Sequence, residues 1–221
     1  MNELPMISII TVVFNGAKTL EQTIQSVINQ TYTNIEYIVI DGGSVDGSVE
    51  IIKKYNDQIS YWVSEPDKGI YDAMNKGISK CNGEWIGIIN SDDWYELDAV
   101  DIIVITSKLF PNIEVIHGLQ RYYNEKHQLF YIAASSSSNL NNSMLEHSTC
   151  FIRNSIYKKF GIFNSKYRIS ADYDLILRIY KIGVKFFLVE KVISNMRLTG
   201  ISESGKYFVR RWYEDAIIKY K

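Results

Sequence analysis

This chain has few cysteines and almost no net charge, and each of these features excludes a class of protein. Only two residues, Cys81 and Cys150, carry a thiol. Because two cysteines form no disulfide framework and match no metal-binding spacing, we expect a reducing compartment and two buried thiols that pack as small apolar groups. The formal net charge is −1, so a protein that binds nucleic acid through a basic surface is not expected.

Long apolar runs are missing as well. No window approaches the ~20 apolar residues that a membrane-spanning helix requires, and the N-terminal residues lack the basic and apolar regions of a signal peptide. With 46% hydrophobic and 22% charged residues, the composition is that of a soluble globular protein. We therefore expect a cytoplasmic protein. The C-terminal helix described below could also bring it into contact with the inner face of the membrane.

The first half of the chain contains apolar, β-branched segments that end in polar turns. These segments cover residues 6–13, 35–40, 59–63 and 85–89, and each is followed by a stretch with helical periodicity. Four such strand–helix units predict an α/β fold, in which a mostly parallel sheet with right-handed crossovers is flanked by helices.

Acidic residues follow three consecutive strands of this predicted sheet. Asp41 ends the second strand, Glu65 and Asp67 follow the third, and Asp92 and Asp93 follow the fourth. Ligands of parallel sheets bind outside the carboxyl ends of the strands, so these side chains predict one shared acidic site. Two adjacent carboxylates repel each other and suit a divalent cation, although the pair could instead cap the next helix.

Glycine-rich phosphate cradles are absent from the sequence. The turn after the first strand reads Phe14-Asn15-Gly16-Ala17-Lys18, which does not match the dinucleotide-binding pattern, and no P-loop is present. A phosphate ligand would therefore be held by a cation on the acidic residues. That arrangement suits a nucleoside diphosphate that departs as a leaving group.

The pattern changes after residue 109. Shorter strands are predicted over 113–118, 120–124, 128–133, 147–153, 185–189 and 192–197, with helices over 154–160, 170–182 and 206–220. This favours a smaller, mixed or antiparallel region after the parallel half-sheet. The serine-rich segment 134–143 has few apolar side chains with which to bury itself, so we expect a mobile loop or a seam between two parts of the chain.

Two carboxylates, Asp172 and Asp174, begin the predicted helix over 170–182. At 3.6 residues per turn, Asp172 shares a face with Ile176 and Ile179 and is expected to point toward the protein body. Asp174 falls roughly on the opposite side, four residues before Arg178, where an exposed ion pair is the simplest account. Free N–H groups in the first helical turn favour the ionised form of Asp172, as a general base requires.

Five segments together resemble a known family, the inverting family 2 glycosyltransferases that build bacterial surface polysaccharides. They are residues 8–15 (SIITVVFN), 41–48 (DGGSVDGS), 64–69 (SEPDKG), 90–93 (NSDD) and 169–175 (ISADYDL), and they occur in the order of the family. The resemblance implies the GT-A fold, a single Rossmann-like α/β domain over residues 1–221. In it, residues up to about 110 would form the nucleotide-sugar half, residues 111–205 the acceptor half, and residues 206–221 a terminal helix.

The resemblance also implies roles on the donor side. Phe14 occupies the position whose aromatic ring lies against the nucleotide base, and Asp41 matches the acid that recognises that base. Asp67 occupies the position of an acid in the donor site of the family. Asp92 and Asp93 match the D-x-D-type pair that binds metal and donor, with Asp93 favoured as the direct ligand of Mg²⁺ or Mn²⁺.

On the acceptor side, Asp172 matches the catalytic base of the family. His147 lies in a segment that lines the acceptor side, but a lone histidine next to a strand is more often structural. Arg197 could reach the diphosphate, and an arginine on the surface is an equal alternative.

The activity implied by the resemblance is metal-dependent, inverting transfer of a sugar from a nucleotide diphosphate, most readily UDP, to a hydroxyl of a glycan or a lipid-linked glycan. A nucleotidyltransferase is the alternative, although the basic glycine-rich triphosphate loop is absent. A non-catalytic nucleotide-sugar-binding protein is another, although it would not need Asp172. The aromatic and basic segment 207–213 could place the last helix in a lipid interface, or that helix could dock on its own domain.

Overall fold

The computed structural model describes residues 4–124, 126–141, 143–198 and 205–220. Its first half alternates strands and helices: β1 Ile7–Val13, α1 Leu20–Ile28, β2 Ile35–Asp41, α2 Ser48–Lys54, β3 Tyr61–Ser64, α3 Ile70–Ile78 and β4 Trp85–Asn90. The strands β3, β2, β1 and β4 are adjacent in that order and parallel. The predicted parallel half-sheet is confirmed, although β3 begins two residues later than the apolar pattern suggested.

Both faces of this half-sheet are covered. Every residue of β1 is buried, and alternate side chains enter two different clusters. Ile7 and Ile9 pack with α1 and α4, whereas Ile10 and Val12 pack with α3 and α6. A continuous apolar run is what a parallel strand with helices on both faces requires.

The second half of the chain extends the sheet with mixed pairing. Its elements are β5 Trp94–Tyr95, α4 Ala99–Leu109, β6 Val115–Tyr123, β7 Leu129–Ala133, β8 Phe151–Arg153, α5 Asn154–Phe160, α6 Ala171–Lys181, β9 Phe186–Arg197 and α7 Gly205–Lys219. The strand order is β3-β2-β1-β4-β8-β6-β9-β5, and β7 pairs with β6. Since β8 is antiparallel to both β4 and β6, the expected change to mixed pairing is found.

Three expectations for the second half were wrong. The predicted strands 185–189 and 192–197 form one strand, β9, which continues through the exposed residues Glu190 and Lys191 by a shift in its register with β6. The predicted strand 147–153 starts only at Phe151, because His147–Thr149 forms a 3₁₀ turn. The predicted strands 113–118 and 120–124 also form one strand, β6.

The last helix, α7, docks on the domain through one face. Ile218 is buried in a cluster that includes Leu145, Tyr173 and Leu177. Val209, Trp212 and Tyr213 are among the exposed large side chains of this helix. In the ranges that the structure describes, no helix has the length and apolar character needed to cross a membrane.

Candidate active site at the carboxyl edge of the sheet

The turns after β1 and β2 are bound to each other at the carboxyl edge of the sheet. The strand register pairs Val13 with Asp41, so both turns start at the same level. The Asn15 N–H donates to Ser44 Oγ (2.7 Å), and the Asn15 side-chain carbonyl accepts the Val45 N–H (3.0 Å). Asn15 has a left-handed φ of 51°, which asparagine tolerates better than most residues. These bonds fix the shape of the edge without a glycine cradle.

Asp41 is fully buried at this edge. Its Oδ2 accepts hydrogen bonds from the Gly43 N–H (3.1 Å), the Ser44 N–H (2.9 Å) and Ser64 Oγ (2.6 Å). Its Oδ1 has no partner among the described residues. Because a buried carboxylate oxygen without a partner is costly, this atom can accept a hydrogen bond from a ligand.

Phe14 and Asp67 both lie next to the backbone of Gly42. A Cβ at Gly42 would collide with the Asp67 carboxylate and lie 3.3 Å from the Phe14 ring. The Phe14 side chain is 65% exposed, so its ring has a free face beside Asp41 and Asp67. The structure thus brings three of the sequence-predicted donor residues together.

Asp92 and Asp93 follow β4 at the same edge, and burial disfavours the charged form of both carboxylates. Asp93 is only 2% exposed, and its Oδ1 has no partner in the described parts of the chain. Burial raises the pKa of Asp93 well above its ordinary value, and the neighbouring Asp92 raises it further. Burial also raises the pKa of Asp92, against the opposing effects of Arg197 and His147.

This pair of carboxylates fits a hard divalent cation. A cation would satisfy the unpartnered oxygen of Asp93 and remove the repulsion between the two acids. The side-chain carbonyl of Asn90 is also buried without a partner in the described segments. Within those segments, no three histidine, cysteine or acidic side chains gather as a complete metal site. Water and ligand phosphates would therefore have to complete the coordination, as is common for Mg²⁺.

Arg197, at the end of β9, is buried against the acidic pair instead of lying on the surface. It is 6% exposed, and its guanidinium lies over the Trp94 ring at 4.6 Å. Its Nη atoms donate to the Asp92 main-chain carbonyl and to Gln22 Oε1. Burial lowers the pKa of Arg197, while Asp93 and Asp92 act in the opposite direction. The Nε donor has no partner among the described residues, so it is free for an anionic ligand.

Asp172 approaches this edge from the first turn of α6. Its Oδ1 accepts hydrogen bonds from Tyr71 Oη (2.9 Å) and from the Tyr173 N–H (2.9 Å). Its Oδ2 lies 4.0 Å from His147 Nδ1, and the side chain is 20% exposed. His147 also lies close enough to influence Asp92 electrostatically. His147 therefore adjoins Asp172 and lies in the electrostatic neighbourhood of the acidic edge.

Tyr71 is a site residue that sequence reasoning missed. It lies on α3, is 7% exposed and packs against Phe163 with ring centroids 5.5 Å apart. Burial and the nearby Asp172 raise the pKa of Tyr71 well above its ordinary value, so its hydroxyl stays a hydrogen-bond donor. In the sequence it is one aromatic among the apolar positions of a helix, and no local signal separates it from a core residue.

The expected orientation of Asp174 was wrong. Asp174 is 6% exposed, so its pair with Arg178 (Oδ2 to Nη2, 3.6 Å) is not on the open surface. Little of the surface of α6 is left for solvent, because one cluster that contains Leu175 and another that contains Ile176 cover two of its sides. Asp172 points toward the protein body, as expected, since its Oδ1 is hydrogen-bonded to Tyr71 Oη of α3.

The two cysteines are buried, as expected. Burial raises the pKa of Cys81 to about 12 and that of Cys150 further, so both thiols stay protonated at neutral pH.

Solved structures share the overall fold of this chain. Staphylococcus aureus TarS 1–349 in complex with UDP-GlcNAc superposes with a TM-score of 0.78 at 16% identity, covering 96% of this chain and 65% of that one. The mannosyltransferase PcManGT of Pyrobaculum calidifontis, in complex with GDP-Man and Mn²⁺, gives a TM-score of 0.75 at 14% identity, covering 99% and 64%. The chain has the GT-A fold of such glycosyltransferases.

Sequence relatives agree with this fold. An uncharacterized glycosyltransferase of Rickettsia typhi is 29% identical over 203 residues, which is 86% of this chain and 64% of the relative. The hyaluronan synthase of Pasteurella multocida is 27% identical over 212 residues, which is 93% of this chain but 22% of that enzyme. This chain thus spans less than two thirds of either relative. The model of the family described as "Glycosyl transferase family 2" matches residues 8–161, well over half of the chain, and the protein belongs to that family.

Proposed function

We propose that this protein transfers a sugar from a nucleotide diphosphate to a hydroxyl of a glycan or a lipid-linked glycan, with a divalent cation and with inversion at the anomeric carbon. The observation that carries the proposal is the meeting of two groups of side chains around His147. His147 Nδ1 lies 4.0 Å from Asp172 Oδ2, and His147 is also near enough to Asp92, the neighbour of the unpartnered Asp93 oxygen, to act on it electrostatically. A donor on the acidic edge would present its sugar toward Asp172.

The proposed donor site uses the residues around Gly42. The exposed ring of Phe14 stacks on the nucleotide base, and Asp41 Oδ1 accepts a hydrogen bond from the base. Asp67, which also lies next to Gly42, contacts the donor beside the base. A UDP-sugar is the proposed donor, since the similar TarS structures carry UDP or UDP-GlcNAc. A GDP-sugar is the second candidate, because the PcManGT structure carries GDP-Man.

Asp93 and Asp92 are the proposed holders of Mg²⁺ or Mn²⁺. When bound, the cation would neutralise the charge that develops on the departing diphosphate. The residues fit this role because the burial of Asp93 leaves one oxygen without a partner among the described groups. Arg197, anchored on Trp94 and on the Asp92 carbonyl, places a second positive charge at the same edge. The Mn²⁺ in the PcManGT structure supports this assignment.

Asp172 is the proposed base. Tyr71 and the Tyr173 N–H hold its Oδ1, which leaves Oδ2 for the acceptor hydroxyl. Asp172 takes the proton from that hydroxyl, and the oxygen attacks the anomeric carbon from the side opposite the diphosphate. The bond from the anomeric carbon to the diphosphate breaks, and its electron pair leaves with the phosphate oxygen. One displacement of this kind inverts the anomeric configuration and needs no enzyme nucleophile.

We assign residues up to about 110 to the donor half. Residues from about 111 to about 205, which include His147, are assigned to the acceptor half. His147 Nε2 is buried and has no partner in the described part of the chain, so it can bond an acceptor or donor oxygen. Hyaluronan and chondroitin synthases among the relatives support a role in making a cell-surface polysaccharide.

Contact with a membrane that carries a lipid-linked acceptor is proposed for the outer face of α7. Val209, Trp212 and Tyr213 are exposed there and are 73%, 69% and 61% accessible. Arg210 and Arg211 lie on the same helix. Apolar and aromatic side chains with flanking arginines suit an interface with anionic lipid, at the inner face of the membrane in this proposal.

The test is an assay of donor hydrolysis and transfer with a panel of UDP-, GDP- and dTDP-sugars, in Mn²⁺ or Mg²⁺ and in excess chelator. We expect one nucleotide class to be used and all turnover to stop in chelator. Asp93→Ala should be inactive, and Asp98→Ala is the matched control, because Asp98 is an exposed acid at the start of the next helix.

Two results would contradict the proposal. Undiminished turnover in chelator would remove the cation from the mechanism. Release of pyrophosphate from a nucleoside triphosphate and a sugar phosphate, with no use of any nucleotide sugar, would identify a nucleotidyltransferase instead.

A further inference from the structure

A carboxylate of the last helix is buried against the turn that leads into the helix of the proposed base. Glu214, on α7, is 4% exposed. Its two oxygens accept hydrogen bonds from the main-chain N–H groups of Arg168 (3.0 Å), Ile169 (2.9 Å) and Ser170 (3.1 Å), and from Arg210 Nε (2.9 Å). Four donors converge on one side chain, so this carboxylate fixes the position of three consecutive peptide groups.

The charge of Glu214 is retained in spite of its burial. Burial acts to raise the pKa of Glu214, but the three N–H groups and Arg210 outweigh this effect, and the pKa lies below its ordinary value. Hydrogen bonds to an ionised acceptor are about twice as strong as neutral ones. The turn over residues 168–170 is therefore tied to α7 by a charged group, whereas Ser170, at the start of α6, makes no side-chain cap of its own.

The same turn is hydrogen-bonded to the partner of Asp172. The Ile169 carbonyl lies 2.6 Å from Tyr71 Oη, and that hydroxyl lies 2.9 Å from Asp172 Oδ1. A phenol has one proton to donate, so the carbonyl and the carboxylate compete for it. The position of the Ile169 carbonyl consequently decides how Tyr71 holds Asp172. Glu214 sets that position through the N–H groups on either side.

We propose that Glu214 is a positioning residue for Asp172, and that α7 acts on the reaction through the turn over residues 168–170 and through Tyr71. The proposal rests on the function proposed above for Asp172. It concerns a part of the chain outside residues 8–161, which the family model matches. Removing the carboxylate should leave the fold and the donor site in place and should misplace the base.

The experiment is a double-mutant cycle measured by hydrolysis of a UDP-sugar, with water as the acceptor, so that no glycan has to be identified. Glu214→Gln keeps the size of the side chain and removes its charge. We expect kcat to fall by about 10-fold to 10²-fold, as for a misplaced catalytic group, while KM and Kd for the donor change little. In an Asp172→Asn background, the same substitution should cause no further loss, because the group that it positions is gone.

Asp215→Asn is the matched control. Asp215 is the next residue on α7, and it lies 4.0 Å from Arg211 in a pair with the same spacing as the pair of Arg210 and Glu214. It should leave kcat unchanged. Tyr71→Phe provides a second variant that keeps the packing of the ring on Phe163 and should show the same dependence on Asp172 if Glu214→Gln fails to fold.

The outcomes separate this proposal from the one on which it rests. Normal hydrolysis by Asp172→Asn would refute the base itself. If Asp172→Asn is inactive but Glu214→Gln has a normal kcat, the positioning role alone is refuted. If Glu214→Gln does not fold, a normal kcat in Tyr71→Phe refutes it instead. An equal fold-loss in the native and Asp172→Asn backgrounds would show that Glu214 is only structural, and would also overturn the proposal.

Discussion

Asparagine substitutions of Asp172 and Asp174 should damage two different properties, although the residues lie two positions apart on α6. The Asp172 side chain is 20% exposed and lies beside His147, and Asp174 is buried beside Arg178. Asparagine has nearly the shape of aspartate but is not a base. The pair of variants therefore separates proton transfer from the stability of the helix.

For Asp172→Asn, we expect kcat to fall by about 10²-fold to 10⁴-fold, the range for the loss of a general base. The two groups that bond Asp172 Oδ1, Tyr71 Oη and the Tyr173 N–H, can donate equally to an amide oxygen. The side chain is also 20% exposed. The melting temperature and the affinity for the donor should therefore stay close to those of the native protein.

For Asp174→Asn, the loss should appear in stability. The carboxylate lies 3.6 Å from Arg178 Nη2, and the Arg178 side chain is 35% exposed, which screens the pair. Arg178 also keeps hydrogen bonds to the Phe160 and Ile162 carbonyls. A cost of about 1 kcal/mol follows for a partly exposed pair, or a fall of about 2–4 °C in melting temperature for a chain of this size.

Both variants are measured by thermal unfolding and by UDP-sugar hydrolysis at saturating donor. Near-normal hydrolysis in Asp172→Asn, together with an inactive but stable Asp174→Asn, would show that Asp172 is not the base.

Three further predictions test separate parts of the molecule. Phe14→Ala should weaken donor binding in calorimetry by the ~1–3 kcal/mol of a base–aromatic stack and leave the melting temperature unchanged, because the ring is 65% exposed; unchanged affinity would place the base elsewhere. Because the pKa of Glu214 is lower in the folded state than the unfolded value of about 4.3, its carboxylate stabilises the fold above that value, and this stabilisation is lost as pH falls through the folded-state pKa. In urea unfolding from pH 6 to pH 3, the free energy of unfolding should therefore fall more steeply for the native protein than for Glu214→Gln. Parallel curves for the two proteins would contradict this. Trp212→Ser combined with Tyr213→Ser should reduce flotation with anionic liposomes while hydrolysis continues, and equal flotation of both proteins would leave α7 without a membrane role.

The acidic edge could be predicted from the sequence because its geometry is local to each strand. An apolar run fixes where a parallel strand ends, and the carboxyl ends of neighbouring parallel strands lie at one edge. Asp41 and Asp93 were placed there by this rule alone, and the register of β1 with β2 and β4 bears it out. The rule says nothing about a residue such as Arg197, which reaches the edge from an added strand.

Helical periodicity failed for α6 because it assumes one solvated face. Asp174 was expected on that face, but it is 6% exposed, and its partner Arg178 is hydrogen-bonded to the Phe160 and Ile162 carbonyls. The contacts of Tyr71 with Asp172 and of Glu214 with Ser170 join residues 101 and 44 positions apart. No local pattern encodes such pairs, since each depends on how whole elements pack.

Burial alone does not distinguish a structural carboxylate from one that binds a ligand. The hydrogen-bond partners of each carboxylate oxygen make the distinction. Glu214 and Asp93 are 4% and 2% exposed, so their solvent exposure is nearly the same. Four donors surround Glu214, and the pKa of that carboxyl lies below its ordinary value. Asp93 has an oxygen without a partner in the described structure and a second acid beside it, and burial with that neighbour raises its pKa. The fold therefore already satisfies Glu214, whereas Asp93 has a buried oxygen that a cation would satisfy, and this contrast supports the proposed places of Glu214 in the framework and of Asp93 in the donor site.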